Sequence, residues 1–399
     1  MTPKLLIVAG EASGDQHSAH LLAEMKKLCP DLSCFAAGGP ALEGAGARIV
    51  VPMERLSVIG LFEVASHLPR IYAAYRKILE TVSAQGIGTA VLVDFPDFNL
   101  ILARALRRRG VRIFYYVSPQ IWAWRKGRVR TIRRLVDHMF VIFPFEADFY
   151  RTHGVPVTYA GHPLMDSHFI EESDKWALKR ELAGEGDFPI LVLAPGSRQG
   201  EVGRLYPRML AAYLRLRERI PTLRALVPES PSLPEAFYRE IESRSGFGAD
   251  RESVRPLRIR GRFREVMGAG DCALVASGTA TLETGLVGTP MVVVYALNRG
   301  TYRIARHLVK VPAIGMVNLV SGRTIVPELI QDEASPDRMA EEAFRILTDP
   351  ERKASILKDL SALRGILGSP GASGRIARQI IDMAEWDCPP PSRAPESRP

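Results

Sequence analysis

The sequence predicts an α/β protein built from two Rossmann-like, doubly wound units with mostly parallel sheets. Short apolar strands alternate with segments in which apolar residues recur at helical spacing, and this alternation is typical of parallel sheets covered by helices. The alternation lapses into polar and charged residues between Gly161 and Trp176 and then restarts. A chain of 399 residues can hold two or three domains of roughly 150 residues each. Two units therefore fit better than one long sheet.

The first unit is defined by apolar and β-branched runs that each end at a turn. These runs predict strands at Lys4–Gly10, Ala90–Val93, Val111–Val117, Asp137–Phe143 and Val157–Tyr159. Helical spacing predicts helices at Ser18–Leu28 and Asn99–Arg109.

The second unit repeats the same pattern. Strands are expected at Pro189–Ala194, Arg224–Val227, Leu257–Arg260, Asp271–Ala276 and Pro290–Tyr295, with a helix at Leu205–Arg219. The stretch from Leu329 to Ala384 is expected to be helical, with a break at Ser369–Gly371. We place the domains at 1–165 and 166–350, followed by C-terminal helices at 351–388 that could pack back on the first domain. Residues 389–399, rich in Pro, Ser and Arg, are expected to form a disordered tail.

Composition narrows the class of protein. Apolar residues make up 46% and charged residues 24% of the chain, which excludes a fibrous or disordered protein. No apolar run approaches the roughly 20 residues that span a bilayer. The N-terminal apolar stretch is too short for a signal peptide, so we expect a cytoplasmic protein. A formal net charge of +9 favours anionic partners.

The four cysteines, Cys29, Cys34, Cys272 and Cys388, show no CxxC spacing and no nearby histidine cluster. We therefore expect neither a zinc site nor a disulfide framework, and interpret all four as unpaired thiols that are buried or inert.

The first motif that could bind a ligand or take part in catalysis follows the first strand and reads Gly10-Glu11-Ala12-Ser13-Gly14-Asp15. Its glycines allow a tight turn and a close approach to a ligand, and the helix that follows offers N–H groups to an anion. It is neither GxGxxG nor a P-loop, which disfavours a dinucleotide-binding protein or a P-loop kinase. The alternative is a plain turn in which Ser13 or Asp15 caps the helix.

The second motif, Asp94-Phe95-Pro96-Asp97-Phe98-Asn99, also follows a strand. Ligands of open α/β sheets bind at this edge, and a desolvated aspartate among phenylalanines suits a general base. The alternative is capping of the next helix by Asp97 or Asn99.

The second unit contains two turns that suit a diphosphate. Pro195-Gly196-Ser197-Arg198 combines backbone donors with a guanidinium group, and Glu201 could pair with Arg198 or cap the next helix. Ser277-Gly278-Thr279 leads into a helix that carries Glu283 about one turn on, within reach of a ribose. Arg198 as a surface residue and a simple N-cap at the second turn remain the alternatives.

Two surface features suit an anionic interface. Trp122 and Trp124 adjoin a basic run that begins Arg125, Lys126 and Arg128, which suits a membrane surface or a nucleic acid. The apolar stretch Leu56–Val64, with Val58, Ile59, Leu61 and Phe62, could lie in a membrane interface or form a buried core helix.

Taken in order, these motifs resemble the lipid-A-disaccharide synthase family, whose fold is GT-B: two Rossmann-like domains facing across a cleft. The matching segments are Val8–Asp15, Gly38–Pro40, Asp94–Asn99, Tyr116–Pro119 with Trp122–Arg125, Phe143–Glu146, Gly161–Pro163, Pro195–Arg198 with Glu201–Val202, Ser277–Ala280, and Asn318–Leu319 with Gly322–Arg323.

The resemblance implies an inverting glycosyltransferase of lipid A (lipopolysaccharide) biosynthesis. It would join UDP-2,3-diacylglucosamine to 2,3-diacylglucosamine 1-phosphate, called lipid X, without metal or cofactor. Asp94 would be the general base, although Asp97 is the competing carboxylate, and Arg198 would stabilise the leaving diphosphate. The substrate-binding residues would be Glu11, Ser13, Gly14, Asp97, Asn99, Ser197, Ser277, Gly278, Thr279, Glu283 and Asn318.

The resemblance further implies that the first domain faces the acceptor and the anionic inner-membrane surface, on its cytoplasmic side, and that no nucleic acid is bound. Two alternatives remain at this point: a UDP-sugar epimerase of the same fold, which needs no acyl-binding surface, and a basic nucleic-acid-binding protein, which needs no pair of phosphate turns.

Overall fold

A computed structural model describes residues 2–56, 64–124, 126–166, 170–247, 254–298, 300, 302–303 and 312–388. The chain forms two compact units, Met1–Ser167 with Leu367–Pro399, and His168–Ile366. Four apolar residues predicted to contact acyl chains (Val58, Ile59, Leu61 and Phe62), together with Arg125 and the tail at 389–399, lie outside the described residues. Within them, no helix is long and apolar enough to cross a bilayer.

The first unit contains a seven-stranded sheet in the order β3-β2-β1-β4-β5-β6-β7, with all strand pairs parallel. Its strands are β1 (Lys4–Ala9), β2 (Ser33–Gly38), β3 (Arg48–Pro52), β4 (Thr89–Val93), β5 (Arg112–Tyr116), β6 (His138–Val141) and β7 (Val157–Tyr159). Its first seven helices are α1 (Ala12–Leu28), α2 (Pro40–Gly44), α3 (Val64–Gln85), α4 (Pro96–Arg107), α5 (Ile121–Trp124), α6 (Val129–Leu135) and α7 (Pro144–Thr152).

The second unit contains a six-stranded sheet in the order β10-β9-β8-β11-β12-β13, again parallel throughout. Its strands are β8 (Ile190–Ala194), β9 (Arg224–Glu229), β10 (Leu257–Arg260), β11 (Cys272–Ala276), β12 (Met291–Tyr295) and β13 (Glu328–Ile330). The helices that follow Ser167 are α8 (Glu172–Ala183), α9 (Gln199–Arg219), α10 (Glu235–Arg244), α11 (Phe263–Gly268), α12 (Thr279–Val287), α13 (Met316–Ser321), α14 (Pro336–Thr348), α15 (Pro350–Leu367) and α16 (Ala372–Met383).

The central strands have the apolar sequences that this architecture requires. Every residue of β4, β8 and β11 is buried, because helices cover both faces of a parallel sheet. In each sheet the chain reverses its direction of winding next to the first strand, between β1 and β4 and between β8 and β11. Ligands of doubly wound sheets bind beyond the carboxyl ends of the strands at this switch point.

The expectation of continuous helix from Leu329 is wrong at its start. Residues Glu328–Ile330 form β13, which pairs with β12 through Leu329 opposite Val294. Leu329 is 2% exposed because it lies in a strand at the edge of the sheet, paired with β12. A run of three residues is too short for periodicity to separate strand from helix.

The C-terminal segment belongs to the first unit. Helix α16 packs against α1. The carboxylate of Asp166 accepts hydrogen bonds from the backbone N–H groups of Gly371, Ala372 and Ser373 at 2.6, 3.0 and 3.0 Å. A carboxylate at this position satisfies the N–H groups that a helix start leaves without partners.

The expectation of four unpaired thiols is wrong for two of the cysteines. Cys29 and Cys388 form a disulfide with their Cα atoms 5.0 Å apart, although 359 positions separate them in the sequence. The pairing arises because the chain beyond α16 returns to the end of α1, which sequence spacing does not reveal. Cys34 and Cys272 are free and buried, and burial raises the pKa of each thiol to about 12.

Candidate active site

The switch point of the first unit brings together the loops after β1 and β4. Ala9 lies opposite Val93 in the parallel register, so Gly10 and Asp94 leave neighbouring strands at the same edge. The two loops touch, because a Cβ atom on Gly10 would lie 2.5 Å from the ring of Phe95. Only glycine fits there without moving that ring.

The backbone at Asp94 is held in an unusual conformation. Asp94 and Phe95 have φ values of 43° and 47°, in a left-handed region that costs a residue with a side chain about 1–3 kcal/mol. Three hydrogen bonds stabilise it. The Tyr115 hydroxyl donates to the Asp94 carbonyl at 2.5 Å, the Asn99 amide donates to the same oxygen at 2.8 Å, and the Asp94 N–H donates to Tyr116 at 3.1 Å.

The capping alternatives for Asp97 and Asn99 are wrong. Helix α4 begins after Phe95 without a side-chain cap. Asn99 is fully buried, and its amide also donates to the Val93 carbonyl at 3.2 Å. Asp97 is exposed and forms an ion pair with Arg128. Asn99 therefore supports the Asp94 loop from inside the unit, whereas Asp97 lies at its surface.

The loop after β1 also differs from its capping alternative. Helix α1 starts at Ala12 with Glu11 as its N-cap residue and no side-chain cap bond, so capping by Ser13 or Asp15 is wrong. The buried carboxylate of Asp15 accepts hydrogen bonds from the N–H groups of Gly39 and Ala41 at 2.7 and 2.9 Å. Asp15 thus caps α2 instead.

Three other members of this motif differ in their exposure: Glu11 and Ser13 are exposed, whereas Gly14 is buried. A Cβ atom on Gly14 would lie 3.6 Å from Val93, an ordinary contact. The motif therefore presents an exposed face of α1 beside the Asp94 loop.

In the second unit the turn after β8 packs around the carboxylate of Glu201. Gly196 has φ +109°, and its position leaves room for the Glu201 carboxylate. That carboxylate accepts a hydrogen bond from the Ser197 N–H at 3.3 Å. Burial raises the pKa of Glu201, although the Ser197 hydrogen bond and the Arg198 charge oppose the shift. Arg198 is the exposed N-cap residue of the 21-residue helix α9.

The turn after β11 lies beside this one, because β8 and β11 pair in register and paired strands are about 4.8 Å apart. Gly278 is the N-cap residue of α12 with φ 149°, and Thr279 is exposed on the first turn of that helix. The Ser277 hydroxyl donates to the Ile314 carbonyl at 2.8 Å. Two helix starts therefore meet at one switch point, which suits an anionic group.

Glu283 and Asn318 flank this turn in different ways. Glu283 is half-buried and lies 3.4 Å from Arg264; burial raises the pKa of its carboxyl. Asn318 is 1% exposed and donates to the Val326 carbonyl at 2.9 Å and to Glu328 at 2.8 Å. Its amide oxygen accepts the N–H groups of Ile325 and Val326. These bonds fix the backbone around α13, so Asn318 acts by shaping the loop.

Sequence reasoning missed three carboxylates that organise these loops. Glu328 accepts the N–H groups of Ile314 and Gly315 at 2.8 and 2.9 Å, and so holds the segment that receives the Ser277 hydroxyl. Asp15 accepts the N–H groups of Gly39 and Ala41, and Glu146 accepts the indole N–H of Trp122. No local signal marks these carboxylates, because their partners lie elsewhere in the sequence or depend on burial.

The predicted aromatic and basic surface is described in part. Trp122 is half-buried, and its indole N–H donates to Glu146 at 3.2 Å. Arg128 pairs with Asp97. The side chains of Trp124 and Lys126 lie outside the described part of the chain, as does Arg125. No group of three or more potential ligands that could hold a metal ion occurs among the residues that are described.

Comparison with known proteins decides the family. A model of the lipid-A-disaccharide synthetase family matches residues 5–368. The chain belongs to the lipid-A-disaccharide synthetase family. It is 44% identical to the lipid-A-disaccharide synthase of Myxococcus xanthus over 96% of this chain and 97% of that one. The Syntrophus aciditrophicus synthase is also 44% identical, over 97% and 100% of the two chains, and the Geobacter metallireducens synthase is 40% identical over 95% and 97%.

Solved structures agree on the fold. UDP-GlcNAc 2-epimerase from Neisseria meningitidis, bound to UDP-GlcNAc, superposes with a TM-score of 0.65 at 12% identity, covering 95% of this chain and all of that one. The glycosyltransferase of kitacinnamycin superposes with a TM-score of 0.61 at 15% identity, covering 96% and 99%. Because an epimerase and a transferase both match at 15% identity or less, these likenesses show the fold alone.

The predictions of a GT-B fold and of a lipid-A-disaccharide synthase, a glycosyltransferase of lipid A biosynthesis, are therefore confirmed. The family match does not favour the epimerase or nucleic-acid alternatives.

Proposed function

We propose that this synthetase condenses UDP-2,3-diacylglucosamine with lipid X to give the β-1,6-linked disaccharide 1-phosphate and UDP. The observation that carries the proposal is the family match across residues 5–368. The two switch points support it, since one holds a carboxylate in a fixed loop and the other holds two adjoining turns suited to phosphate. The donor nucleotide is assigned to the second domain and the acceptor to the first.

In the proposed reaction Asp94 removes the proton from the acceptor 6-hydroxyl as its oxygen attacks the anomeric carbon of the donor. The bond from that carbon to the UDP oxygen breaks, and the attack from the opposite side inverts the configuration. The hydrogen bonds from Tyr115 and Asn99 to the Asp94 carbonyl hold the backbone of this loop in place before substrate arrives, which lowers the cost of orienting the catalytic group.

Charge that develops on the departing diphosphate is stabilised by Arg198, by the start of α9 and by the start of α12. Ser197, Gly278 and Thr279 offer donors at these turns, and Ser277 ties its turn to the backbone at Ile314. Glu283 is assigned to the ribose. Glu11, Ser13 and Asp97 are assigned to the rim that receives substrate.

Two substitutions test the catalytic assignment. Asp94→Asn should abolish disaccharide formation, followed by mass spectrometry, while calorimetry still detects UDP binding. The matched control is Asp31→Asn, an exposed aspartate of the same unit. Normal turnover by the Asp94 variant would remove that residue from the mechanism.

For the nucleotide site, Arg198→Ala should weaken UDP binding by about tenfold or more, the value of a charge-assisted hydrogen bond. Arg338→Ala, an exposed arginine of the same unit, is the control. Equal UDP affinity in the two variants would contradict the phosphate role of Arg198.

We also propose that the first unit rests on the cytoplasmic, anionic face of the inner membrane. Helix α6 is flanked by two arginine-lined clefts. One, of about 360 Å³, is lined by Arg104, Arg107, Arg108, Thr131, Arg134 and Leu135. The other, of about 930 Å³, is lined by Gly127, Val129, Arg130, Arg133, Arg134, Thr152, His153 and Gly154. Such a concentration of guanidinium groups suits lipid phosphates.

Vesicle sedimentation tests this surface. Replacing Arg104, Arg108 and Arg134 by serine should weaken binding to anionic vesicles by roughly two orders of magnitude, at about 1 kcal/mol per arginine. Replacing Arg239, Arg244 and Arg338 of the second unit removes equal charge and should change binding little. Equal losses in both triple variants would mean that net charge, and not this surface, attracts the membrane.

A further inference from the structure

The loop after β5 runs beside the Asp94 loop, because β5 pairs with β4 in the sheet. Val117, its first residue, has φ 59°, which a β-branched residue rarely adopts. Ser118 is buried, and its hydroxyl donates a hydrogen bond to the Pro119 carbonyl at 3.0 Å. The same hydroxyl lies 2.9 Å from the hydroxyl of Tyr150. The loop then enters α5, where Trp122 is the second residue.

Two residues of α7 contact the side chain of Trp122. Its indole N–H donates to one carboxylate oxygen of Glu146 at 3.2 Å. Its ring meets the ring of Phe145 edge-on, with centroids 5.0 Å apart and planes at 84°. The indole is therefore held by one polar and one aromatic contact with α7.

Glu146 is 1% exposed. Its second oxygen accepts the N–H of Phe143 at 3.2 Å at the start of α7. Removing a carboxylate from water is costly unless a cation or several donors compensate. Burial raises the pKa of Glu146 to about 7, against the lowering effect of hydrogen bonds from Trp122, Phe143, Ser118 and Ile142. A residue needed only to fill space would avoid this cost.

We propose that Glu146 is a positioning residue that orients Trp122, and with it the loop at 117–122, to receive the acylated acceptor next to Asp94. The inference rests on the proposed function for the identity of the acceptor. The link between Glu146 and Trp122 is independent of the proposed function, because it can be measured without substrate.

The ionisation of Glu146 can be measured separately from that of its neighbours. Ser118 and Trp122 face it from the β5 loop, and Tyr150 faces it from α7. Burial raises the pKa of Tyr150, which keeps that hydroxyl neutral. Behind Phe143 lies the ring of His162, 5.1 Å away, and burial lowers the pKa of that imidazole to about 3. Among the described side chains, Glu146 is therefore the group at this site that changes charge near neutral pH.

The first experiment uses the full-length chain without substrate. Indole emission is titrated between pH 5 and pH 9, and the Trp122→Phe signal is subtracted to isolate Trp122. The expected result is a titration near pH 7 that Glu146→Gln abolishes and Asp148→Asn leaves intact. Asp148 is the exposed control on the same helix. A titration that persists in the Glu146 variant would overturn the proposal.

The second experiment measures the acceptor KM in a double-mutant cycle of Glu146→Gln and Trp122→Phe. Each single variant should raise the KM for lipid X by about tenfold, the value of one hydrogen bond to a charged group, with kcat changed far less. The double variant should be no worse than either single one. Additive losses in the double variant would overturn the link between Glu146 and Trp122. A wild-type chain that forms no disaccharide would instead refute the proposed function, and the result of the fluorescence titration would be unaffected.

Discussion

Replacing Gly10 by alanine is the most direct test of the contact between the two loops at the first switch point. The added Cβ atom would lie 2.5 Å from two carbons of the Phe95 ring and 3.0 Å from a third. Carbon atoms settle about 3.5–4.0 Å apart, so the ring must retreat by about 1 Å. Phe95 and Asp94 share one left-handed turn, and the displacement therefore passes to Asp94.

The expected loss follows from that distance. A misplacement of about 1 Å at a catalytic group costs about 100-fold in rate, equivalent to about 2.7 kcal/mol of activation free energy. Overpacking should also lower the free energy of unfolding by about 1–3 kcal/mol. Binding of UDP should be unchanged, because the nucleotide is assigned to the other unit.

The assay is initial-rate disaccharide formation at saturating substrate, with thermal unfolding measured in parallel to verify folding. Gly44→Ala is the matched control, since a Cβ atom there would meet no atom within 4 Å. If a folded Gly10 variant turns over within about threefold of the Gly44 variant, a difference worth under 1 kcal/mol, the argument from loop contact is refuted.

Three other outcomes are expected. Asp15→Ala removes the cap of α2 and leaves two backbone N–H groups without acceptors, so the free energy of unfolding should fall by about 2–4 kcal/mol; a loss under about 1 kcal/mol in denaturant titration would contradict the capping role. Replacing Cys29 and Cys388 by serine, or reducing the wild-type chain, should destabilise the protein by up to about 6 kcal/mol in the chain-entropy picture; an unchanged thermal midpoint on reduction would show that the thiols are unpaired. For Glu146, the unfolded carboxyl titrates near 4.5 and the folded one at about 7. Between these pH values the folded chain retains a proton that the unfolded chain releases, so stability falls as pH rises and levels off above about 7. The stability of Glu146→Gln relative to wild type should therefore increase by about 3 kcal/mol across that window, and parallel pH profiles would exclude the shift.

Much of the fold could be predicted because each strand is a short apolar run that can be recognised from neighbouring residues in the sequence. β4 and β8 are short runs of buried apolar residues, and each is followed by a motif with polar groups at the sheet edge. A parallel sheet places such strand ends side by side, which is why the sequence could predict that Asp94 and the turn at 195–198 lie at the carboxyl edges of their sheets.

The parts that sequence did not reveal depend on contacts between distant positions. Asp15 caps a helix that starts 25 residues later, and Cys29 pairs with a residue 359 positions away. The spacing of apolar and polar residues predicts contacts within one helix or strand, and it cannot predict contacts between positions far apart in the sequence. Glu146 is similar, because its importance lies in its burial against Trp122, and an acidic residue gives no local signal of burial.

The return of the C-terminal segment to the first unit has a consequence for synthesis on the ribosome. The second unit is continuous in sequence, whereas the first is interrupted and needs Leu367–Pro399 for completion. The surface of α1 that α16 covers therefore stays open until the residues of α16 have been synthesised. The second unit, by contrast, has all of its residues before α16 is made, so the first unit is the last to become complete in chain order.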